Sequence, residues 1–195
     1  DGENPGEMDY NHLKALILNR SLLEDEKRLG AFLGYLEEEN LFSRNTLLFV
    51  TEDEPDQVME MDTVLKEPVG TYLNERIASD ERFKDSEAVT LGSLFRIWEN
   101  ENENLWIPYI NCAEDKMTLE KYYLMQGRMA AGKVDRETGE LALLSEQKMK
   151  SYSISLEDAE SVTLSNLCCS YAFMEQNGQV TETVTIKADG KYQGN

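Results

Sequence analysis

Three kinds of side chain in this sequence could carry chemistry: one histidine, three cysteines and an excess of carboxylates. His12 is the only imidazole, so a Ser–His or Cys–His pair would have to be assembled around it by folding. No nucleophile motif places a serine or cysteine beside it, and its position at the mouth of a strand favours a structural role. Glu37, Glu38, Glu39, Asp53 and Glu54 could supply the carboxylate pair of a hydrolase. They stand in runs, however, and a run of like charge ordinarily marks a solvated face. Acidic turns also attract calcium, yet the D-x-[DN]-x-[DN]-G spacing of a calcium loop is missing. Gly127-Arg128-Met129-Ala130-Ala131-Gly132-Lys133 has the two glycines and the lysine of a phosphate loop. Val134 stands where that loop needs Ser or Thr, and a hairpin fits the segment better.

The cysteines add little. Cys112 ends an apolar strand and is expected to act as a small buried hydrophobe. Cys168 and Cys169 are neighbours, with Cα atoms ~3.8 Å apart, too close for an ordinary bridge. A bridge from Cys112 to one of them remains an open alternative. No spacing resembles a zinc site. The aromatics Trp98, Trp106, Tyr109, Tyr122 and Tyr123 lie on faces expected to be buried, with a ligand platform as the alternative. The residues therefore nominate no catalytic, cofactor-binding or metal-binding side chain.

The elements that would position any site are clearer. His12 to Leu18 reads as a strand. Ser21 and Glu24 have the S-x-x-E spacing of a capping box, and Leu29, Phe32, Leu33 and Leu36 form a helical stripe. Thr46 to Val50 is the next strand. Pro55 suits a helix start, with Val58, Met59 and Met61 as its buried side. Pro68 opens another helix carrying Val69, Tyr72, Leu73, Arg76 and Ile77, and Leu91, Leu94, Phe95 and Trp98 mark a third. Glu99 to Asn104 reads as a solvated linker. Leu105 to Cys112 returns to strand, where Pro108 implies an edge or a bulge. Leu119 to Val134 is a hairpin turning at Gln126-Gly127. Asp135 caps a short helix through Leu144, against a competing second hairpin around Glu137-Thr138-Gly139. Three strands follow, at 151–156, 161–173 and 180–187, the last two joined through Asn177-Gly178; alternation over Thr181 to Ile186 predicts one wet face. The expected fold class is α+β or mixed α/β: a central mixed sheet with several flanking helices, followed by a small antiparallel β portion. The expected division is 1–148 and 149–195.

Composition narrows the partners. The chain of 195 residues has 19 basic and 38 acidic side chains, a net charge of −19 and a pI near 4.4. That field repels nucleic acid and anionic lipid headgroups, so work at a membrane would need a covalent lipid or a protein partner. Its 41% hydrophobic content suffices for a core, and no run reaches the ~18 apolar residues that span a bilayer. Asp1 to Asp9 reads as a flexible lead-in. The absence of an initiator methionine suggests a fragment from which a targeting segment was removed, or a tag remnant.

Taken in order, the elements resemble the Ger(x)C family of spore-germination lipoproteins, the C subunits of nutrient germinant receptors. The similarity runs through His12-Leu13-Lys14-Ala15-Leu16-Ile17-Leu18, then Ser43-Arg44-Asn45-Thr46-Leu47-Leu48-Phe49-Val50, then Pro68 with Tyr72-Leu73. It continues in Trp106-Ile107-Pro108-Tyr109-Ile110, in Met129-Ala130-Ala131-Gly132-Lys133-Val134-Asp135, and in Glu137-Thr138 with Leu141 to Leu144. It covers roughly residues 12 to 148. Met125 and Gln126 stand where that family usually has a phenylalanine-lysine pair; its lipid-modified cysteine lies upstream and its long C-terminal region downstream. The resemblance implies a non-enzymatic, extracytoplasmic lipoprotein, anchored by lipid to the spore inner membrane or cell membrane. It also implies integral-membrane germinant-receptor subunits as partners, protein–protein contact as the mode of action, and no cofactor. A secreted or soluble ligand-binding domain is the alternative, with a carboxylate-dependent hydrolase behind it.

Overall fold

The computed structural model describes residues 13–39, 42–80, 83, 86–113, 116–156 and 161–193. The expectations for His12, for Asp1 to Asp9 and for part of the 80–86 loop lie outside these residues. Two compact units emerge, one within 1–78 and 88–136, the other within 79–87 and 137–195.

The first unit is a five-stranded mixed sheet, in the order β1 (Ala15–Asn19), β2 (Leu47–Thr51), β3 (Asn104–Ala113), β4 (Lys116–Gln126) and β5 (Met129–Asp135). β1, β2 and β3 run parallel, and β4 and β5 follow as antiparallel neighbours. Parallel neighbours need crossover connections. Here these are α1 (Arg20–Leu23) with α2 (Glu26–Glu39), then α3 (Pro55–Leu65), α4 (Val69–Ser79) and α5 (Leu91–Glu99). Leu29, Leu33 and Leu36 of α2 and Leu91, Leu94 and Ile97 of α5 share one core with Leu48, Val50, Ile107, Tyr109 and Tyr123 of the sheet. On the opposite face α3 meets β3 and β4, burying Val58 and Met61, and Gly70 of α4 lies beside Lys14 and Ala15.

Several local expectations change. The Ser21/Glu24 capping box does not form. Asn19, at the strand end, accepts from the Ser21 N–H at 3.0 Å, the helix breaks after Leu23, and Asp25 then accepts from the Arg28 N–H to start α2. Asn and Asp are at least as good N-caps as Ser, and they stand nearer the breaks. Met59 is 64% exposed and only Val58 and Met61 are buried on α3. Pro108 lies in a central strand, not at an edge, and the β3–β4 register shifts just after it, between Tyr109 and Asn111.

The second unit contains all but the first residue of α6 (Arg136–Ser145) and the antiparallel sheet β6 (Tyr152–Ser155), β7 (Ser161–Gln176) and β8 (Gln179–Gln193). The helix, not the competing hairpin, forms after Asp135, and it groups with the later strands. Asn177 and Gly178 both take positive φ, 54° and 76°, as a two-residue primed turn requires. The alternation along β8 is present, but Val184 and Ile186 are only half-buried and Val180 is exposed.

Candidate functional site

The polar residues of the first unit converge where β1 and β2 end. Asn19 and Thr51, the last residues of these strands, are paired in register. α1 begins directly after β1 and places Arg20 and Glu24 there, while the acidic turn after β2 supplies Glu52 and Asp53. Glu52 is the hub: it meets the Arg20 guanidinium at 2.9 Å and accepts from the Lys133 ammonium, which comes from β5, at 2.7 Å. Arg20 also reaches Glu24 at 3.8 Å, and Glu24 accepts from the Tyr123 hydroxyl at 3.1 Å. The Lys133 ammonium lies 5.2 Å from the centroid of the Tyr109 ring, within cation–π range.

Asp53 has a different task. The β2–β3 ladder registers at Val50 and Tyr109, and beyond it the Asp53 carboxylate accepts from the Cys112 N–H at 2.7 Å. It also accepts from the Thr51 hydroxyl. A charged acceptor thus takes over where the strand ladder stops, a stronger contact than a neutral one.

Environment sets the acidity of these groups. The hydrogen bond from Lys133 is the largest influence on Glu52 and holds its carboxyl below the ordinary carboxylate range, with Arg20 acting in the same sense. Burial first, then the Glu24 carboxylate, pushes the Tyr123 phenol up to about 12. Burial and the nearby Asp53 push the Cys112 thiol up to about 11, which keeps it protonated and a poor nucleophile near neutral pH. Tyr109 is only 2% exposed, and burial first, then the charge of the neighbouring Glu52, raises its phenol further still.

Linkage gives Glu52 a signed prediction. Its folded pKa is below the unfolded one, so its stabilisation is complete above the unfolded value and fades as pH falls through the folded value. Both side chains of the Glu52–Lys133 pair are about one-third exposed, so solvent screening limits the pair to about 0.5–1 kcal/mol. Glu52→Gln is expected to lower stability by that amount at pH 7 and by progressively less as pH falls toward 3. Urea midpoints at the two pH values check it; an equal loss at both would show that charge is not the cause.

The other sequence candidates are scattered. Glu37 pairs with exposed Arg44 at 3.1 Å, ahead of β2, whereas Asp53 follows β2; a five-residue strand, about 16 Å long, separates their positions. Glu38 is exposed, and Glu54 is the exposed residue before α3. The Gly127–Lys133 segment is the β4–β5 turn and strand, with Gly127 at φ 56°. Trp106, Tyr109, Tyr122 and Tyr123 are core residues. Trp98 lies under the Arg128 guanidinium, 5.0 Å from its centroid, and its carbonyl accepts from Arg128. The three cysteines are free thiols. Among the described residues no group of three or more His, Cys, Asp or Glu could hold a metal ion, and no helix is long and apolar enough to cross a membrane. Sequence reasoning missed Arg20, Glu52 and Lys133 as a set, because no spacing signals contacts that cross so much of the chain.

Comparisons with known proteins agree with the resemblance drawn from the residues. The sequence model of a family described as the spore germination protein N-terminal domain matches residues 2–111, more than half of the chain. No curated protein sequence matches. A crystal structure of the GerBC protein superposes with a TM-score of 0.62 at 11% identity, over 98% of this chain and 56% of that one. The likeness at that identity is one of fold, and the chain spans just over half the length of the GerBC structure.

Proposed function

Because the chain belongs to the spore germination protein N-terminal domain family, the Ger(x)C group, we propose that it serves as part of a germinant-receptor C subunit. In this reading it acts through protein contacts and not by catalysis. It works outside the cytoplasm, held to the membrane by a lipid, and contacts integral-membrane receptor subunits. The observation that carries the reading is the family match together with a GerBC-like fold over 98% of the chain. Two features support it. The convergent polar groups at the ends of β1 and β2 are bound to one another in a closed network, which suits a scaffold holding a surface in shape. The net charge of −19 disfavours direct adsorption to an anionic membrane and so favours a tether.

The test is genetic and biochemical. Spores lacking the gene are expected to lose the response to one class of nutrient germinant and to regain it on complementation. The full-length protein is expected to take up labelled fatty acid and to co-purify with a multi-spanning subunit after cross-linking in spore membranes. Normal germination of the deletion strain with every nutrient germinant, or an unlabelled protein found in the cytosol, would overturn the proposal.

A further inference from the structure

In the five-stranded sheet, β2 and β3 meet in register at Val50 and Tyr109 and at no other pair among the described residues. Backbone direction gives the reason. The Leu47 N–H donates to the Lys14 carbonyl on the β1 side at 3.3 Å, so by alternation Thr46, Leu48 and Val50 turn their N–H and C=O groups toward β3. One rung below Val50, the Leu48 carbonyl would have to accept from the N–H of residue 108. That residue is Pro108, which has no N–H to give. The ladder stops there.

Another piece of the chain takes the edge that β3 leaves. Residues 89–92 run antiparallel to residues 44–48. The Leu48 N–H donates to the Val89 carbonyl at 2.9 Å, the Leu91 N–H to Thr46 at 2.9 Å and the Gly92 N–H to Arg44 at 2.8 Å, while Leu47 bridges Thr90. The fit is close at each end. Val89 packs against the core, Thr90 and Ser93 cap the start of α5, and a Cβ on Gly92 would come within 3.0 Å of the Arg44 carbonyl oxygen.

The residues just before this segment belong to the second unit, which holds 79–87, and the first unit resumes at Ala88. Within the second unit the Glu87 N–H donates to the Lys148 carbonyl at 3.2 Å and Ser86 bridges Met149. Ala88 alone separates Glu87 from Val89, and one residue spans at most about 3.6 Å, so the connection has no slack. The chain also passes between the units after residues 78 and 136, inside α4 and α6. The passage at 87 is the one that leads onto the β2 edge.

We propose that residues 88–92 form a strap through which a change of shape in the second unit is passed to the middle of the first unit's sheet. Seated, the strap fills the fork between β2 and β3 below Val50. Drawn out, it frees the Leu48 N–H and the Thr46 and Arg44 carbonyls together, because one short segment holds all three. Leu48 then competes for β3, from which only the missing Pro108 N–H keeps it. Such an opening is local, since the β1–β2 and β3–β4 ladders use other backbone groups. The inference rests on the proposed mode of action by protein contact, and it names what a contact made on the second unit would move.

Amide hydrogen exchange, followed residue by residue on the whole chain, is the test. Met149→Ala empties a buried position opposite Ser86. It is expected to speed exchange at Leu91 and Gly92 about tenfold and to leave Phe49, whose N–H faces β1, unchanged. Three glycines inserted after Ala88 are expected to abolish that response. Ser86→Gly, which loses the hydroxyl bond to the Phe83 carbonyl, takes the place of Met149→Ala if that variant does not fold. Pro108→Val acts from the other side of the fork: β3 regains an N–H, so Leu91 and Gly92 are expected to exchange faster while Leu48 stays protected. Unchanged exchange at Leu91 and Gly92 in the second-unit variants or in Pro108→Val, an equal rise at Phe49, or a response that survives the insertion would overturn the inference. Exchange reads the strap alone, so its failure is separable from failure of the germination test.

Discussion

Gly127→Ala is expected to destabilise the first unit by about 3 kcal/mol, with a lower urea midpoint and an unchanged slope. Two costs combine. Gly127 has φ 56°, where a side chain costs about 1–2 kcal/mol. A Cβ there would also lie 2.6 Å from the Glu101 carbonyl oxygen and 2.8 Å from the Glu101 Cα. Both are backbone atoms and cannot rotate away. The same turn is fixed by the Gly127 N–H donating to Glu103 at 2.9 Å and by Arg128, which pairs with Glu101 at 3.4 Å while covering Trp98. The turn therefore cannot shift without undoing the junction of α5 with β3. Gly34→Ala is the control. It lies in α2, where an added Cβ would meet nothing within 4 Å, and alanine there is expected to stabilise by about 0.5–1 kcal/mol. A loss at Gly127 no larger than about 1 kcal/mol would show that the turn relaxes.

Leu94→Ala is expected to cost about 3 kcal/mol, in the usual range for a leucine truncated in a packed core. Leu94 is wholly buried in the core shared by the α2 stripe, α5 and the sheet. Met59→Ala should change stability by less than about 0.5 kcal/mol, because Met59 points to solvent. Chemical denaturation of both variants separates a core leucine from a surface methionine. Similar losses at the two sites would contradict the orientation of α3.

The stripes on α2 and α5 were legible in the sequence because the helical period is a local property: Leu29, Leu33 and Leu36 needed no knowledge of what they face. The Asn177-Gly178 turn was legible for the same reason, since its φ angles demand those residues. Of the two positions open to Pro108, an edge or a bulge, the structure has the irregular one: the β3–β4 register shifts between Tyr109 and Asn111, and the sequence could not choose because the rank of a strand in a sheet is decided by its neighbours. Met59 misled because a three-residue apolar cluster does not say which two of its members turn inward. The polar network was out of reach altogether. Tyr123 and Glu24 are 99 residues apart, and Lys133 and Glu52 are 81 apart. No periodicity connects them, and only the finished sheet brings them together. The family resemblance worked where chemistry did not, because it used the order of elements and required no site.

The Asp53–Cys112 hydrogen bond spans 59 residues, and this separation has a consequence in time. Contacts so distant in sequence must bear the entropy of closing a long loop before anything rewards them. The β7–β8 ribbon closes over two residues and belongs to a class of events that takes about 1–10 μs. That ribbon is therefore expected to pair early in refolding. The parallel half of the five-stranded sheet is expected to form late, when α2 through α5 have condensed enough to bring β3 beside β2. Asp53 is then the latch that shuts at the end of folding, and slow refolding is expected to track its closure and not the arrival of the ribbon.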